Sequence, residues 1–527
     1  MKHVVILGGG IAGMYAALKC IKLGWKVTLI EKKERLGGNI HTIYKEGMPP
    51  LEAGAGRFNE GHRLLIHLIH YYGLTLTQLP TEKDFFPVLE CKTPIVKVNE
   101  PFLLQKVTEY SKNISNALLK EINFSQLCEM ALGYKKTRLL IEAFGYNAEF
   151  LVENAYTALK TFQEDFTNKY PYYVCKEGLT ELVSRMEHDL VKNGVAIHKE
   201  TTIDKIKDTD NGFKLKAKSK SKEFLADYLF LALPKKALTD IPIFNDYTKT
   251  LLDTIVPVSL HRIYGQFAKP WFKDLPKFTT DLQIRQFIPI DPLNGIAMVS
   301  YSDLFDADYW KIYSDKGSTV LQEQLRKQLQ EIFPSKKIPE LVWTESYYWK
   351  EGVHVWIPNV DPEKIRKELA NIHPRISIVG ESYSMRQGWV EGALETVEEA
   401  LHKLKKNASP TPTHTHTPSI SGGATQSYKK EFKNKPSITK AELQAFKIHY
   451  PEVKWVLLQL PGEEHIRLID VTEWIYQHPG GAQPFINHMY ADISTYFKKI
   501  SSHFEEKKIK DHVYKMVNKY TLTHLNV

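Results

Sequence analysis

Short apolar runs, glycines and amphipathic stretches alternate along the first 400 residues. Residues 4–7 form an apolar run that predicts a strand, and residues 12–23, after a glycine-rich turn, follow a helical pattern. Residues 27–30 predict a second strand, which completes a βαβ unit. Later strands are predicted at 197–206, 228–233 and 376–379, and 101–159 is rich in helical pattern. Strands that return after long insertions predict an α/β cofactor domain interrupted by a substrate domain.

A change in composition divides the chain. Residues 407–427 contain no charged residue and are rich in Ser, Thr, Pro, Gly and His, which is typical of a linker. We therefore predict a large unit at 1–405, a linker at 406–435 and a small unit at 436–527. In the small unit, 439–442 has a capping-box pattern that predicts a helix start, and 453–458 and 467–471 predict strands.

Composition excludes several classes of protein. The 527 residues carry a net charge of +9, but Lys and Arg are scattered among acids, so no nucleic-acid-binding stripe is predicted. The longest apolar run, 228–233, is too short for a membrane span. The four cysteines have neither zinc spacing nor a disulfide framework, and a strand follows the first residues directly, without a signal-peptide pattern. We expect a soluble, intracellular, cytoplasmic protein.

The first turn carries a dinucleotide-binding pattern, G-x-G-x-x-G, at Gly8, Gly10 and Gly13. Gly8 permits the tight turn, Gly10 lets backbone approach a diphosphate beside Ala12, and Gly13 allows close helix packing. Glu31 lies eighteen residues beyond Gly13, at the end of the second strand, where an acid accepts hydrogen bonds from a ribose. A structural glycine turn is the alternative.

The next residues distinguish between cofactors. Glu31, Arg35, Gly37 and Gly38 form an E-x-x-x-R-x-G-G pattern that resembles the FAD-dependent amine oxidase superfamily. In that family the glycine pair contacts the diphosphate of FAD. The family usually has Arg after the pair, whereas this chain has Asn39. The phosphate contact is then either missing or supplied by Arg35.

Two further segments are similar to this family. Residues 51–58 resemble the loop along the flavin, which places Gly54 and Ala55 at the cofactor. In the amino-acid oxidase branch, an Arg at the position of Arg57 pairs with the substrate carboxylate, for which a guanidinium fork is suited. The alternative is that Arg57 only braces the flavin or the loop. The resemblance also implies that Ile203 faces the adenine.

The terminal flavin motif of the family is matched at 379–393. The resemblance implies that Gly380, Glu381 and Val390 contact FAD, with Glu381 at its ribityl chain. It also implies that a helix directed at the flavin begins near Gly392 and Ala393, and that Trp389 forms one wall of an aromatic substrate cage. A packed core tryptophan is the alternative.

One departure concerns the lysine that amine oxidases usually place near flavin N5. Here Arg262, or else His261, takes that position. Because Arg stays charged and cannot serve as a base, oxidase behaviour is in question. Desaturases and porphyrinogen-type dehydrogenases of the superfamily lack this lysine and remain alternatives.

In the small unit, residues 470–481 include a His-Pro-Gly-Gly sequence and resemble the haem-binding core of cytochrome b5. The resemblance implies haem b held by His478 and a second histidine. His503, 25 residues further on, fits the family's spacing best, and His488 and His512 are competitors. Two imidazoles saturate the iron, so such a haem would carry single electrons.

The predicted fold is a Rossmann-type α/β FAD domain with an interleaved α+β substrate domain, at about 86–190 and 260–370, plus a small α+β cytochrome b5-like domain. We expect an FAD-dependent oxidoreductase that oxidises a C–N bond of an amine or amino acid. Its electrons would pass to the tethered haem, oxygen or a redox partner protein. The alternatives are a desaturase or porphyrinogen-type dehydrogenase, and a partner-fed electron-transfer module.

Overall fold

A computed structural model describes residues 1–89, 96–166, 170–218, 222–241 and 243–407, together with four short strands between 437 and 525. The chain forms two compact units, Met1–Pro410 and Thr411–Val527. Within the described residues, no helix is long and apolar enough to cross a membrane.

The strands of the first unit range from two to sixteen residues. They are β1 (His3–Leu7), β2 (Lys26–Ile30), β3 (Thr42–Ile43), β4 (Leu51–Glu52), β5 (Arg57–Asn59), β6 (Leu76–Gln78), β7 (Lys83–Phe86), β8 (Tyr172–Cys175), β9 (Ala196–His198), β10 (Ile203–Thr209), β11 (Gly212–Ala217), β12 (Glu223–Ala226), β13 (Tyr228–Leu231), β14 (Ile255–Phe267), β15 (Lys277–Thr280), β16 (Gln286–Asp291), β17 (Ile296–Asp303), β18 (Leu341–Trp356) and β19 (Ile376–Ile378).

The helices of the first unit are concentrated between the early and the late strands. They are α1 (Ile11–Lys22), α2 (Arg63–Tyr71), α3 (Glu100–Ser111), α4 (Asn116–Glu121), α5 (Phe124–Leu132), α6 (Tyr134–Phe144), α7 (Ala148–Leu151), α8 (Ala155–Glu164), α9 (Leu179–Lys192), α10 (Lys235–Thr239), α11 (Asp246–Leu252), α12 (Leu304–Asp315), α13 (Ser318–Ile332), α14 (Pro362–Leu369) and α15 (Val390–Asn407).

A parallel sheet with the order β19-β13-β1-β2-β9 forms the centre of the cofactor half. Val4 pairs with Val27 on one side and with Tyr228 on the other. Nearly every residue of β1 is buried, because α1, α9 and α15 cover one face and a second apolar cluster covers the other. Since α9 belongs to this core, the predicted substrate range of 86–190 includes a helix that packs on the cofactor half.

The single strand predicted at 197–206 is wrong, because the structure has two strands there. Residues Ala196–His198 form the edge strand β9 of the parallel sheet. Residues Ile203–Thr209 form β10 in a separate antiparallel sheet, β10-β11-β12. Between them Glu200 has φ 49°, a left-handed conformation that ends the extended backbone.

A second large sheet, β18-β14-β17-β16-β15-β7, forms the other half of the first unit. Its long strands β14 and β18 run antiparallel from Ile255↔Trp356 to Phe267↔Leu341. The helices α3 to α8 lie in the helix-rich stretch that the sequence predicts, and their buried faces form a core of their own. Residues of β14, β17 and β18 line the same cavity as the turns that follow β1 and β2, which positions the site.

The second unit contains a four-stranded sheet with the order β20-β23-β22-β21. Its strands are β20 (Ser437–Ile438), β21 (Trp455–Leu458), β22 (Ile466–Asp470) and β23 (Thr521–Leu525). The predicted strands at 453–458 and 467–471 overlap β21 and β22. The predicted helix start at 439–442, the linker residues 408–435 and the histidines His478, His488, His503 and His512 lie outside the described residues, whereas 406 and 407 belong to α15.

Candidate functional site

A cavity of about 850 Å³ begins at the carboxyl ends of β1 and β2 and extends to the inner side of the second sheet. Its walls at the nucleotide end come from the glycine turn. Gly8 has φ 102°, and a Cβ on it would lie 2.2 Å from the carbonyl oxygen of Ala232. Gly13 does not line the cavity. A Cβ on Gly13 would lie 2.0 Å from the Gly8 carbonyl oxygen, so its role is close packing of α1 on the turn.

The carboxylate of Glu31 closes this turn from the side. It is 8% exposed, accepts hydrogen bonds from the backbone N–H of Gly9 at 2.7 Å and of Lys33 at 2.8 Å, and lines the cavity. Two bonds leave a carboxylate with spare acceptor capacity. Ile203 and Ala12 also line this part of the cavity.

A pair of glycines, Gly37 and Gly38, lies against the glycine turn that follows β1. Gly37 and Gly38 have φ 97° and 60°, and a Cβ on Gly10 would lie only 3.8 Å from the Cα of Gly38. The Arg35 guanidinium donates to the carbonyl oxygens of Leu36, Gly38 and Ile40, which holds the pair in its turn. Asn39, where the family usually has Arg, instead donates from Nδ2 to the carbonyl oxygens of 351 and 352 on β18.

The terminal motif supplies the opposite wall. Gly380 has φ 127°, and no described atom lies within 4 Å of the position of a Cβ on it. Glu381 accepts from the backbone N–H groups of His354 and Gly388 and pairs with the His354 ring at 3.0 Å. Val390 and Ala393, in the first turn of α15, line the cavity together with Gly54 and Ala55 of the β4–β5 loop.

The cavity fits FAD. Helix α1 has Gly10 as its N-cap, and among the described residues it has neither a side-chain cap nor an acid in its first turn, so its first N–H groups and its positive dipole end are available to a diphosphate. Gly10 and Gly380 leave open backbone surfaces along the cavity, whereas a Cβ on Gly38 would lie 3.1 Å from the Cα of Gly10.

The far end of the cavity is aromatic and contains Arg57. The Arg57 guanidinium carbon lies 5.4 Å from the ring centre of Tyr146, 5.1 Å from Tyr172, 5.9 Å from Phe166 and 5.8 Å from Trp389. Among the described residues, no carboxylate forms an ion pair with Arg57. The guanidinium is thus surrounded by rings and has a free charge on the cavity side.

Trp389 lines this end and is 8% exposed. Its ring lies edge-on to the His62 ring at 4.7 Å, and His62 is itself fully buried and paired with Asp165 at 2.9 Å. Just beyond Trp389, Glu391 accepts from the first N–H groups of α2 and fixes the start of α15. The tryptophan is therefore both packed against the core and part of the cavity wall.

Arg262 and His261 lie on opposite faces of β14, because neighbouring strand residues alternate. Arg262 lines the cavity, donates to the Glu52 carbonyl oxygen at 2.7 Å and lies 4.5 Å from the centre of the Tyr301 ring. His261 faces away and contacts the Ala307 carbonyl oxygen and the Ser346 hydroxyl. Burial lowers the pKa of His261 to about 4. Of the two alternatives, the structure places Arg262 in the cavity wall and His261 outside it.

Several residues of the cavity carry no local sequence signal. They include Tyr146, Glu149, Glu153, Tyr301, Asp303 and Trp349. They lie in helices, strands or the short connections between helices of the second half, and in sequence they look like ordinary core or surface residues. The acids Glu149 and Glu153 lie in and just after α7, within the helix-rich stretch.

The parallel sheet, the glycine turn with its uncapped helix and the long cavity define a dinucleotide-dependent enzyme. The family described as flavin containing amine oxidoreductase has a sequence model that matches residues 11–400, and the chain belongs to this family. It is an FAD-dependent oxidoreductase, and its membership of this family indicates that it oxidises amines.

Similar curated proteins are amino acid oxidases. The chain is 25% identical over 479 residues to "L-amino acid oxidase Bs29" of Bothriechis schlegelii, which covers 79% of this chain and 92% of the relative. It is 24% identical over 480 residues to "L-amino acid oxidase Lm29" of Lachesis muta, covering 79% and 89%. Over 85 residues it is 39% identical to "L-amino-acid oxidase" of Naja atra, which covers 16% and 17%.

Proposed function

We propose that this enzyme oxidises α-amino acids and that Arg57 binds the substrate carboxylate. The observation that carries the proposal is the free guanidinium of Arg57 within an aromatic end of the FAD cavity. A carboxylate ligand would give this buried cation the counter-charge that the described residues do not provide. The names of the relatives point to the same class of substrate.

One set of cavity residues would hold the cofactor, and another set would orient the substrate. The proposed FAD contacts are Gly8, Gly10, Ala12, Glu31, Arg35, Gly37, Gly38, Gly54, Ala55, Ile203, Gly380, Glu381, Val390 and Ala393. The chemistry that FAD would supply when bound is acceptance of a hydride equivalent from the α-carbon of the substrate, whose C–N bond becomes a C=N bond. Arg57 would fix the carboxylate, and Trp389 would form an apolar wall that excludes water from the reacting carbon.

Charged groups at the substrate end weigh against a desaturase. A desaturase acting on an apolar substrate would need an apolar cavity, but Arg57, Arg262, Glu149, Glu153 and Asp303 all line this one. Burying an apolar chain against these groups would exclude water from them, and it would leave Arg57 and Oε2 of Glu149 without a partner. An amino acid supplies polar groups that match them.

The test is anaerobic mixing of the FAD-loaded enzyme with amino acids and with the amines that lack their carboxylates, monitored by flavin absorbance. We expect amino acids to bleach the flavin faster than the matched amines. Arg57→Lys should lower kcat/KM for amino acids by about 10- to 100-fold, the usual worth of a charged hydrogen-bond fork. Arg185→Lys, on the surface of α9, is the matched control. If neither amino acids nor amines bleach the flavin, the proposed function is wrong.

We further propose that the second unit binds haem b through His478 and His503 and accepts electrons from the flavin. The support is the sequence pattern at 470–481, since both histidines lie outside the described residues. The full-length protein should then show a haem absorption spectrum in addition to the flavin. His478→Ala and His503→Ala should each change or abolish this spectrum, whereas His488→Ala should leave it intact. A protein that takes up no haem when haem is supplied would contradict the proposal.

A further inference from the structure

A second unpartnered charge-bearing group lies at the substrate end of the cavity. Glu149, in the first turn of α7, lines the cavity. Its Oε2 atom is buried and has no hydrogen-bond partner among the described residues. Burial, and then the charge of Asp303, raise the pKa of Glu149 to about 8. The positive charge of Arg57 lowers this pKa, but by less than burial and Asp303 raise it.

The neighbouring acids are satisfied, which sets Glu149 apart. Asp303 accepts from the backbone N–H groups of Asn147 and Ala148 and from the Asn147 side chain, at 2.7–3.1 Å. Glu153, which also lines the cavity, has the Thr157 side chain as a hydrogen-bond partner, and burial and then the charge of Glu149 raise its pKa. A buried carboxylate oxygen with no partner is costly and uncommon, so a group kept in this state inside a cavity indicates a ligand that completes it.

The complementary ligand group is a cation. A carboxylate in a water-poor site gains most from an ammonium or guanidinium, through a charge-assisted hydrogen bond. The α-amino group of the substrate is a poor candidate, because loss of a hydride from the adjacent carbon needs the nitrogen lone pair, which an ammonium held by a carboxylate lacks. The rings of Tyr146 and Phe166, which also line this end, suit the methylenes of a side chain.

We propose that Glu149 binds the cationic end of the substrate side chain, so that the enzyme prefers α-amino acids such as lysine, ornithine or arginine. This inference rests on the proposed function, because Arg57 must hold the α-carboxylate for the side chain to reach Glu149. Arg57 and Glu149 line one cavity without forming an ion pair with each other in the described structure. A buried cation and an acid that are kept apart in this way match a ligand that carries a carboxylate at one end and a cation at the other.

Binding to the FAD-loaded enzyme tests this without turnover. The probes are 6-aminohexanoate and hexanoate, which share a carboxylate and a chain but differ in the terminal ammonium, and both lack the α-amine that would be oxidised. Titrations followed by the flavin absorbance shift should give a dissociation constant about 10- to 100-fold lower for 6-aminohexanoate. Glu149→Gln should reduce this ratio to less than about threefold, and Glu149→Asp should retain part of it.

Glu100→Gln is the matched control, because Glu100 is a mostly buried acid that pairs with Lys83 away from the cavity. It should keep the wild-type ratio. The ratio of kcat/KM for lysine over norleucine should follow the same order among the variants. Flavin content and circular dichroism identify any variant that has not folded, and Glu149→Ala, which also removes the carboxylate, then replaces Glu149→Gln as the decisive variant.

The possible failures are distinguishable. A Glu149→Gln enzyme that keeps the wild-type preference for 6-aminohexanoate overturns the inference, and so does one that weakens both probes equally. If lysine and norleucine reduce the wild-type flavin equally well, the inference fails but amino acid oxidation stands. If neither probe binds and no amino acid reduces the flavin, the proposed function itself fails.

Discussion

Glu149→Gln should make the protein more stable at neutral pH, and the gain should disappear in acid. In the folded protein the pKa of Glu149 is raised from its ordinary value of 4.5 to about 8, first by burial and then by Asp303. Between these two values the unfolded chain has released the proton while the folded protein retains it. Stability therefore falls by about 1.4 kcal/mol for each pH unit above the ordinary value.

The size of the effect follows from this interval. Over the two and a half pH units between the ordinary value and pH 7, the loss is about 3 kcal/mol, and it stops growing near pH 8. Glutamine has no charge at any pH, so the variant avoids the loss. Because the first unit is large, about 3 kcal/mol corresponds to a rise in Tm of roughly 3 to 6 °C.

The assay is the Tm of the FAD-loaded, full-length protein, measured from pH 4 to pH 8 for the wild type and Glu149→Gln. The Tm of Glu149→Gln should be within about 1 °C of the wild-type Tm at pH 4, and the difference in Tm should reach its full size by pH 8. Glu129→Gln, on the exposed side of α5, is the control and should show no difference. An equal gain at pH 4 and pH 8, or a variant less stable than the wild type at pH 7, would refute the reasoning that an unpartnered buried acid causes the loss.

Three shorter predictions concern the cofactor turn and the wall behind Trp389. Gly13→Ala places a Cβ 2.0 Å from the Gly8 carbonyl oxygen, so the purified variant should lose most of its flavin absorbance at gel filtration. Gly380→Ala requires a side chain at φ 127° on a residue of the cavity wall, so titration of the apoprotein should show FAD affinity about tenfold lower. His62→Leu removes the 2.9 Å partner of the buried Asp165, so unfolding measurements should show a loss of about 3 kcal/mol.

The nucleotide end of the site was predictable because its chemistry is local. The positions of Gly8, Glu31, Gly38 and Gly380 along the cavity follow from short turns whose backbone conformation only glycine adopts easily, or from a strand end. The residues of such a pattern are contiguous in sequence, so the local sequence is enough to predict their backbone geometry. The break at Glu200 was not predictable in the same way, because a left-handed Glu has no sequence signature.

The substrate end depends on long-range packing. The choice between Arg262 and His261 is a choice between the two faces of β14, and the sequence does not state which face meets the cavity. Glu149 reads as one more acid in a helical stretch. It reaches the cavity because Asp303, at the end of β17, accepts the backbone N–H groups of residues that begin α7. That contact spans more than 150 residues and no local pattern encodes it.

The cost in stability and the proposed substrate preference come from one arrangement. Had Arg57 and Glu149 formed an ion pair, each would have neutralised the other and the cavity would offer no charge to a ligand. Because they are held apart, the free protein keeps Glu149 as a neutral acid, since burial disfavours its ionised form. A ligand with a cation at the right distance from its carboxylate favours the ionised form again.

Binding of 6-aminohexanoate to the wild type should therefore release a proton between pH 5 and pH 8, whereas binding of hexanoate should not. A variant that gains stability at neutral pH should lose both the proton release and the preference for the cationic probe, since all three have the same cause.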